Sequence, residues 1–265
     1  MAEHVRVERR DDGVLRLHLD KPDRRNALDD AMVATLVAGV EAAGQDEAVR
    51  AVLVTAEGDH FCSGFDIVGR NAEGAPRPRV GSIQRRLPST AHRLIPVVCT
   101  TQVPVVVAAR GWVAGIGLHL AAAADFLVLA EDARVWEPFT PRGFTPDSGG
   151  TWLLPRLVGL ARARELLMLG RELSGAEAVQ WGLAHRAVPA AEVDGEAEAL
   201  ALRLAAGPSV ALGLTKWLLH TAAEHTLDAH LRDEAFALEL SSRSEDFREG
   251  LRAFVDKRDP GFTGR

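Results

Sequence analysis

The 265-residue chain contains no tyrosine and two cysteines, Cys62 and Cys99. The first absence removes any tyrosine acid or base. The second rules out a disulfide framework and a cysteine-rich zinc site. Basic residues do not prevail either. Lys plus Arg number 31 against 37 Asp plus Glu, a net charge of -6. That balance leaves no broad footprint for nonspecific nucleic-acid binding. Long apolar runs are missing too: Arg110, His119 and Asp125 interrupt the longest, far short of a membrane span. The opening residues Ala2, Glu3, His4 and Arg6 are too polar for the core of a signal peptide. Together these absences predict a cytoplasmic protein with no metal and with neither nucleic acid nor membrane as partner. What remains is globular in composition, 47% apolar and 26% charged, and long enough to bury a core without a staple.

Local patterns predict an α/β chain. Residues 14–19 alternate, with Leu15, Leu17 and Leu19 on one face and Arg16 and His18 on the other, which reads as a half-buried strand. Asp29 is placed to cap a helix running to Ala43. Residues 51–55, 103–109 and 126–130 are short apolar, β-branched runs typical of buried strands. From Ala161 onward helical spacing takes over. Ser174 and Glu177 form a capping box, Gly182 ends that helix, and further helices fall at 190–206, 209–223, 227–243 and 246–257. Residues 69–90, rich in Gly, Pro and Arg, read either as a solvated loop or as a basic flap over a phosphate-bearing ligand.

Three stretches suit chemistry. Gly64, within Phe61-Cys62-Ser63-Gly64-Phe65-Asp66, follows a predicted strand and lets the backbone approach a ligand closely. Gly111 to His119 enters a helix through Gly115 and Gly117, so its N–H groups can face an anion or oxyanion. The dinucleotide fingerprint fails because Leu120 stands at the third glycine, and no Gly-Lys-Ser/Thr makes a phosphate loop. The third stretch, 144–151, holds Asp147 between Pro146 and Gly149. Asp147 reads as a turn residue or helix cap, or, enclosed by Phe139, Phe144 and Trp152, as a general acid/base.

In this order and spacing, with Asn26-Ala27-Leu28 near the start and Glu249 to Arg258 near the end, these stretches resemble the crotonase superfamily, the enoyl-CoA hydratase/isomerase family. The resemblance covers nearly the whole chain. It implies a spiral of ββα units over residues 1–200 and a helical trimerisation region over 201–265, with trimers that can pair into hexamers. It implies an acyl-CoA substrate, coenzyme A being part of that substrate and no further cofactor being needed. The backbone N–H groups of Phe65 and Ile116 then form an oxyanion hole, with bulky side chains that narrow the pocket. Arg25, Ala27, Ser63, Gly64, Asp66, Ile67, Gly115, Phe139, Phe254 and Lys257 match positions along the substrate and CoA path.

The chain departs from the family where its hydratases hold water. Those enzymes use two glutamates, and the matching positions here carry His119 and Phe139. Glu137 lies two residues before the second position. Asp147 matches an aspartate of several family isomerases, and residues 146–156 most resemble ring-opening epoxyphenylacetyl-CoA isomerases. A related dehalogenase uses an Asp here as nucleophile, so covalent attack stays open. The resulting expectation is a double-bond or ring isomerase with Asp147 as acid/base and His119 as a secondary group. A hydratase using His119 and Glu137, and an acyl-CoA-binding protein without turnover, are the alternatives.

Overall fold

The computed structural model describes residues 4–67 and 79–265. Its strands are β1 (Val5–Arg9), β2 (Val14–Leu19), β3 (Ala51–Ala56), β4 (Val105–Ala109), β5 (Trp112–Ala114), β6 (Phe126–Ala130), β7 (Arg134–Trp136), β8 (Leu173–Ser174) and β9 (Arg186–Val188). Its helices are α1 (Asp30–Gln45), α2 (Ser82–Arg86), α3 (Leu94–Thr100), α4 (Ile116–Ala123), α5 (Gly150–Val158), α6 (Leu160–Leu169), α7 (Gly175–Gln180), α8 (Val193–Ala205), α9 (Ser209–Thr221), α10 (Leu227–Ser241) and α11 (Glu245–Asp256). Among the described residues, one sheet has the order β1-β2-β3-β4-β6-β9 and a smaller one β5-β7-β8. Among the described residues, the β1/β2 and β7/β8 pairs are antiparallel and the other strand pairs parallel.

β3 and β4 are buried at every position, as their unbroken apolar runs predict. Helices α1 and α8 both pack on β3. Asp29 caps α1 by accepting from the Met32 N–H at 2.9 Å, a bond of about 1 kcal/mol. The capping box of Ser174 and Glu177 also forms. β2 corrects the half-buried reading, because His18 is buried as well. Its Nδ1 sits 2.7 Å from Thr55 Oγ1 and its Nε2 3.2 Å from Glu57 Oε2, which satisfies both ring nitrogens. β4 begins at Val105 rather than Val103, since Pro104 has no N–H to offer the ladder.

The 69–90 stretch is not one loop. Gly81, in a left-handed conformation with φ 86°, opens the short α2, and a 3-10 turn over Leu87–Ser89 follows. Arg85 and Arg86 end α2, and Arg79 precedes it, whereas residues 69–78, with Arg70 and Arg77, lie outside the described residues.

Twice the chain runs strand, strand, helix: β4-β5-α4, then β6-β7-α5. A third turn begins with β3 and continues to Cys62, which is bridged in parallel to Val113. Val113 in turn pairs with Val135. Cys62, Val113 and Val135 are therefore neighbours across one narrow layer. Two residues further along each of these segments come Gly64, Gly115 and Glu137, so the layer sets three chain segments side by side where the candidate site begins.

The helical C-terminal region is tied back to this body. Lys216 Nζ on α9 donates to Asp125 Oδ2 at 2.7 Å, and the same oxygen accepts from the Val105 N–H at the start of β4. Buried Asp246 accepts from the Thr263 and Gly264 N–H groups at 2.7 and 2.9 Å. Arg50 reaches the Gly207 carbonyl at 2.6 Å. No single helix among the described residues is long and apolar enough to cross a membrane; the apolar pair Ala190–Ala205 and Ser209–Thr221 is bent by 110°.

Candidate active site

Hydrogen bonding assembles the site from three loops. The Cys62 N–H donates to the Trp112 carbonyl, and the Ala114 N–H to the Cys62 carbonyl, each at 2.9 Å. On the other side, the Leu28 N–H donates to the Gly64 carbonyl at 2.9 Å and the Asp66 N–H to the Leu28 carbonyl at 2.8 Å. Arg25, Ala27, Ser63, Gly64, Phe65, Asp66 and Ile67 thus form one continuous strip beside Gly115 and Ile116. The fit is close: a Cβ on Gly115 would lie 3.7 Å from the Gly64 Cα, and one on Gly117 2.5 Å from the Cys62 Cβ.

Asn26 is the residue that holds the strip's first loop. It is fully buried in a left-handed conformation. Its Oδ1 accepts from the Lys21 N–H at 2.8 Å, and its Nδ2 donates to the Glu57 and His60 carbonyls at 3.0 and 2.7 Å. In the sequence Asn26 stood out as part of the Asn26-Ala27-Leu28 segment but not for this fastening role. Asn was the available signal, since it tolerates the left-handed region and offers both donors and acceptor.

Ile116 opens α4, where first-turn N–H groups have no intrahelical partner. Its side chain belongs to the hydrophobic core and Phe65 packs against that core.

Beneath the Gly115 turn lies a buried pair. His119 Nε2 and Glu137 Oε1 are hydrogen-bonded at 2.9 Å, and both side chains are fully buried. The Phe139 ring stacks on the imidazole, with centroids 5.8 Å apart and planes within 3°. The other nitrogen, His119 Nδ1, and the other oxygen, Glu137 Oε2, are buried with no hydrogen-bond partner. Burial pushes the Glu137 carboxyl above its ordinary range, His119 draws it back, and the nearby Asp147 carboxylate adds to the rise.

Asp147 departs from one part of its sequence reading. It is exposed rather than enclosed by aromatic side chains, and Phe144 is exposed with it. Nor is it a helix cap: the N-cap of α5 is Gly149, with no side-chain bond. Its Oδ1 instead accepts from Ser148 Oγ at 2.8 Å. Ser148 is buried with φ 52°, a conformation that costs a non-glycine residue about 1 kcal/mol or more and that clusters at functional sites. Gly150 is obligatory for a different reason, since a Cβ there would fall 2.1 Å from His119 Nε2.

Phe254 and Lys257 sit at the end of α11, both exposed, and in the single chain they pack against none of this. A separate trio of donors, His225, His230 and Asp233, brings its ligand atoms within 4.8 Å of one another. There His225 Nδ1 and Asp233 Oδ2 already hydrogen-bond at 2.8 Å.

Comparison with known proteins agrees with this architecture. The family model for enoyl-CoA hydratase/isomerase matches residues 9–265. The chain is 38% identical over 255 residues to 1,2-epoxyphenylacetyl-CoA isomerase of Escherichia coli K12, covering 96% of each. It is 32% identical over 252 residues to 2,3-dehydroadipyl-CoA hydratase of the same organism, covering 95% of this chain and 96% of the relative. Among solved structures, an enoyl-CoA hydratase from Bacillus anthracis superposes with a TM-score of 0.91 at 29% identity, over 99% of this chain and 100% of that one.

Proposed function

Because the chain belongs to the enoyl-CoA hydratase/isomerase family, we propose that it isomerises the acyl group of a coenzyme A thioester, with Asp147 as the acid/base. The observation that carries this reading is the state of Asp147. Its carboxylate is uncommitted to helix capping, is oriented by Ser148, and lies near enough to Glu137 to act on its charge. Meanwhile the two positions that family hydratases fill with glutamate hold His119 and Phe139, and a phenyl ring cannot activate water.

The proposed chemistry needs one carboxylate and two N–H groups. Asp147 takes a proton from a carbon of the acyl chain. The C–H electrons form a new C=C bond and the displaced pair reaches the thioester oxygen. The N–H groups of Phe65 and Ile116 hold that oxyanion, an effect worth about 3 kcal/mol per donor in such sites. The enolate collapses, a different carbon takes the proton back from Asp147, and the double bond has moved. The strip of Arg25, Ala27, Ser63, Asp66 and Ile67 guides the CoA portion. Lys257 and Phe254 reach CoA from a neighbouring copy of the chain. Self-association as a trimer or hexamer is supported by the apolar side chains left exposed on the C-terminal helices, among them Leu227, Phe236, Phe254 and Val255.

A second reading has an observation of its own. His119 Nδ1 and Glu137 Oε2 are buried without partners, and unsatisfied groups of this kind commonly hold an ordered water. A hydratase would use such a water. The substitution Asp147→Asn separates the readings. Isomerisation requires that turnover vanish while CoA-thioester affinity stays within a few-fold. Retained turnover removes Asp147 from the mechanism.

A further inference from the structure

A pocket of about 330 Å³ opens between α3, the start of α5 and the end of α9. Ile95, Cys99 and Trp152 give it apolar walls. Burial pushes the Cys99 thiol up to about 11, so it stays protonated near neutral pH and serves as apolar lining rather than as a nucleophile. Four polar side chains interrupt those walls, His92, Thr100, Ser148 and His220, and the Thr100 hydroxyl already donates to the Pro96 carbonyl at 2.8 Å.

The other three have distinct standings. Ser148 links the pocket to the candidate chemistry, since its hydroxyl donates to Asp147 Oδ1. His220 lies against Trp152, with ring centroids 5.6 Å apart and planes at 47°. His92 carries a buried Nε2 with no hydrogen-bond partner. A purely structural histidine is normally satisfied, as His18 is in β2, because an unpaired buried polar atom is costly. His92 Nε2 is an unpaired polar atom at this pocket, and His220 brings a second imidazole to it from a separate element.

Size narrows the occupant further. A dry cavity of about 150 Å³ holds one benzene molecule. Roughly twice that space takes a single ring with substituents, or a short branched chain.

We propose that this pocket receives the acyl end of the thioester and selects a compact acyl group bearing a hydrogen-bonding oxygen at its far end, with His92 and His220 as the specificity-determining residues. The inference rests on the reading of the protein as an acyl-CoA enzyme acting through Asp147. It goes beyond that reading in specifying what the acyl group carries. A plain alkyl or aryl group would fill the space but leave His92 Nε2 unpaired.

The test uses free CoA, phenylacetyl-CoA and 4-hydroxyphenylacetyl-CoA in calorimetric titrations of the full-length protein. The hydroxylated thioester should bind about tenfold more tightly than its parent, the value of roughly one well-made hydrogen bond. His92→Leu and His220→Leu should each shrink that ratio, and the double variant should bring it near one while phenylacetyl-CoA still binds. Cys99→Phe, which fills the pocket, should weaken both thioesters towards the affinity of free CoA and leave free CoA unchanged. Thermal melts establish that each variant is folded. Equal binding of the two thioesters by the unaltered protein, or a ratio that survives the double substitution, overturns the proposal while the acyl-CoA reading stands. Failure of all three CoA compounds to bind overturns both.

Discussion

Glu137 Oε1 lies 2.9 Å from His119 Nε2, and neither side chain reaches solvent. The two residues come from different segments. His119 is in the first turns of α4, and Glu137 follows β7. The parallel register of Trp112, Val113 and Ala114 with Arg134, Val135 and Trp136 brings them together. The imidazole draws back part of the rise that burial imposes on the carboxyl. The pair lies under the turn proposed to hold the thioester oxygen.

Glu137 should therefore leave a signature in stability against pH. Its folded carboxyl is raised above the ordinary value of 4.5 because burial penalises the charged form. The folded state then keeps a proton that the unfolded state releases. Stability from this group is present below the unfolded value and is lost as pH climbs through the raised one. Glu137→Gln keeps the shape and a hydrogen bond but does not titrate. The difference in Tm, unaltered protein minus variant, should fall steadily from pH 4.5 towards pH 8. Parallel curves across that range would show that Glu137 is not held protonated by burial.

Gly150 offers a steric test of the same pair. An added methyl would sit 2.1 Å from His119 Nε2, so the imidazole or the start of α5 must move. Gly150→Ala should cost about 1–3 kcal/mol in urea unfolding and should lower turnover at least tenfold by displacing the Asp147 loop. Gly195→Ala is the matched control. A Cβ at Gly195, at an exposed position of α8, meets nothing within 4 Å, and the substitution should be neutral or add up to about 1 kcal/mol. Equal effects at the two glycines would refute the crowding argument.

The exposed apolar side chains of α10 and α11 predict self-association. Light scattering behind size exclusion should give a mass three or six times that of the chain. Introducing charge at Phe236 or Leu231, 59% and 50% exposed in the single chain, should shift the mass downwards. A monomer at micromolar concentration would contradict the proposed contribution of Lys257 and Phe254 from a neighbouring copy.

The parts of the fold legible in the sequence are those set by local rules. Asp29 before an apolar-periodic run, Ser174 with Glu177, and the β-branched runs of β3 and β4 each form as their patterns predict. Resemblance to the family placed the Gly64 and Gly115 turns, and their pairing through Cys62 and Trp112 brings them side by side. Contacts between distant residues were not legible. Whether Glu137 faces His119 depends on strand register, and whether Asp147 caps α5 depends on the left-handed turn at Ser148 and Gly149. His18 looked solvent-facing because alternation cannot show that a second layer covers the polar face. The sequence marked Glu137 by its place two residues before the family's second glutamate position; that it faces His119 follows from the Val113–Val135 pairing.

Asp147 is proposed to move a proton on an acyl-CoA thioester without adding water. The most direct test is incubation with a panel of unsaturated acyl-CoA esters in deuterated water, followed by NMR and mass spectrometry. Deuterium should enter the acyl chain together with migration of the double bond, and both should be lost in Asp147→Asn. Addition of water across the double bond, persisting in that variant, would contradict this role and transfer the chemistry to His119 and Glu137.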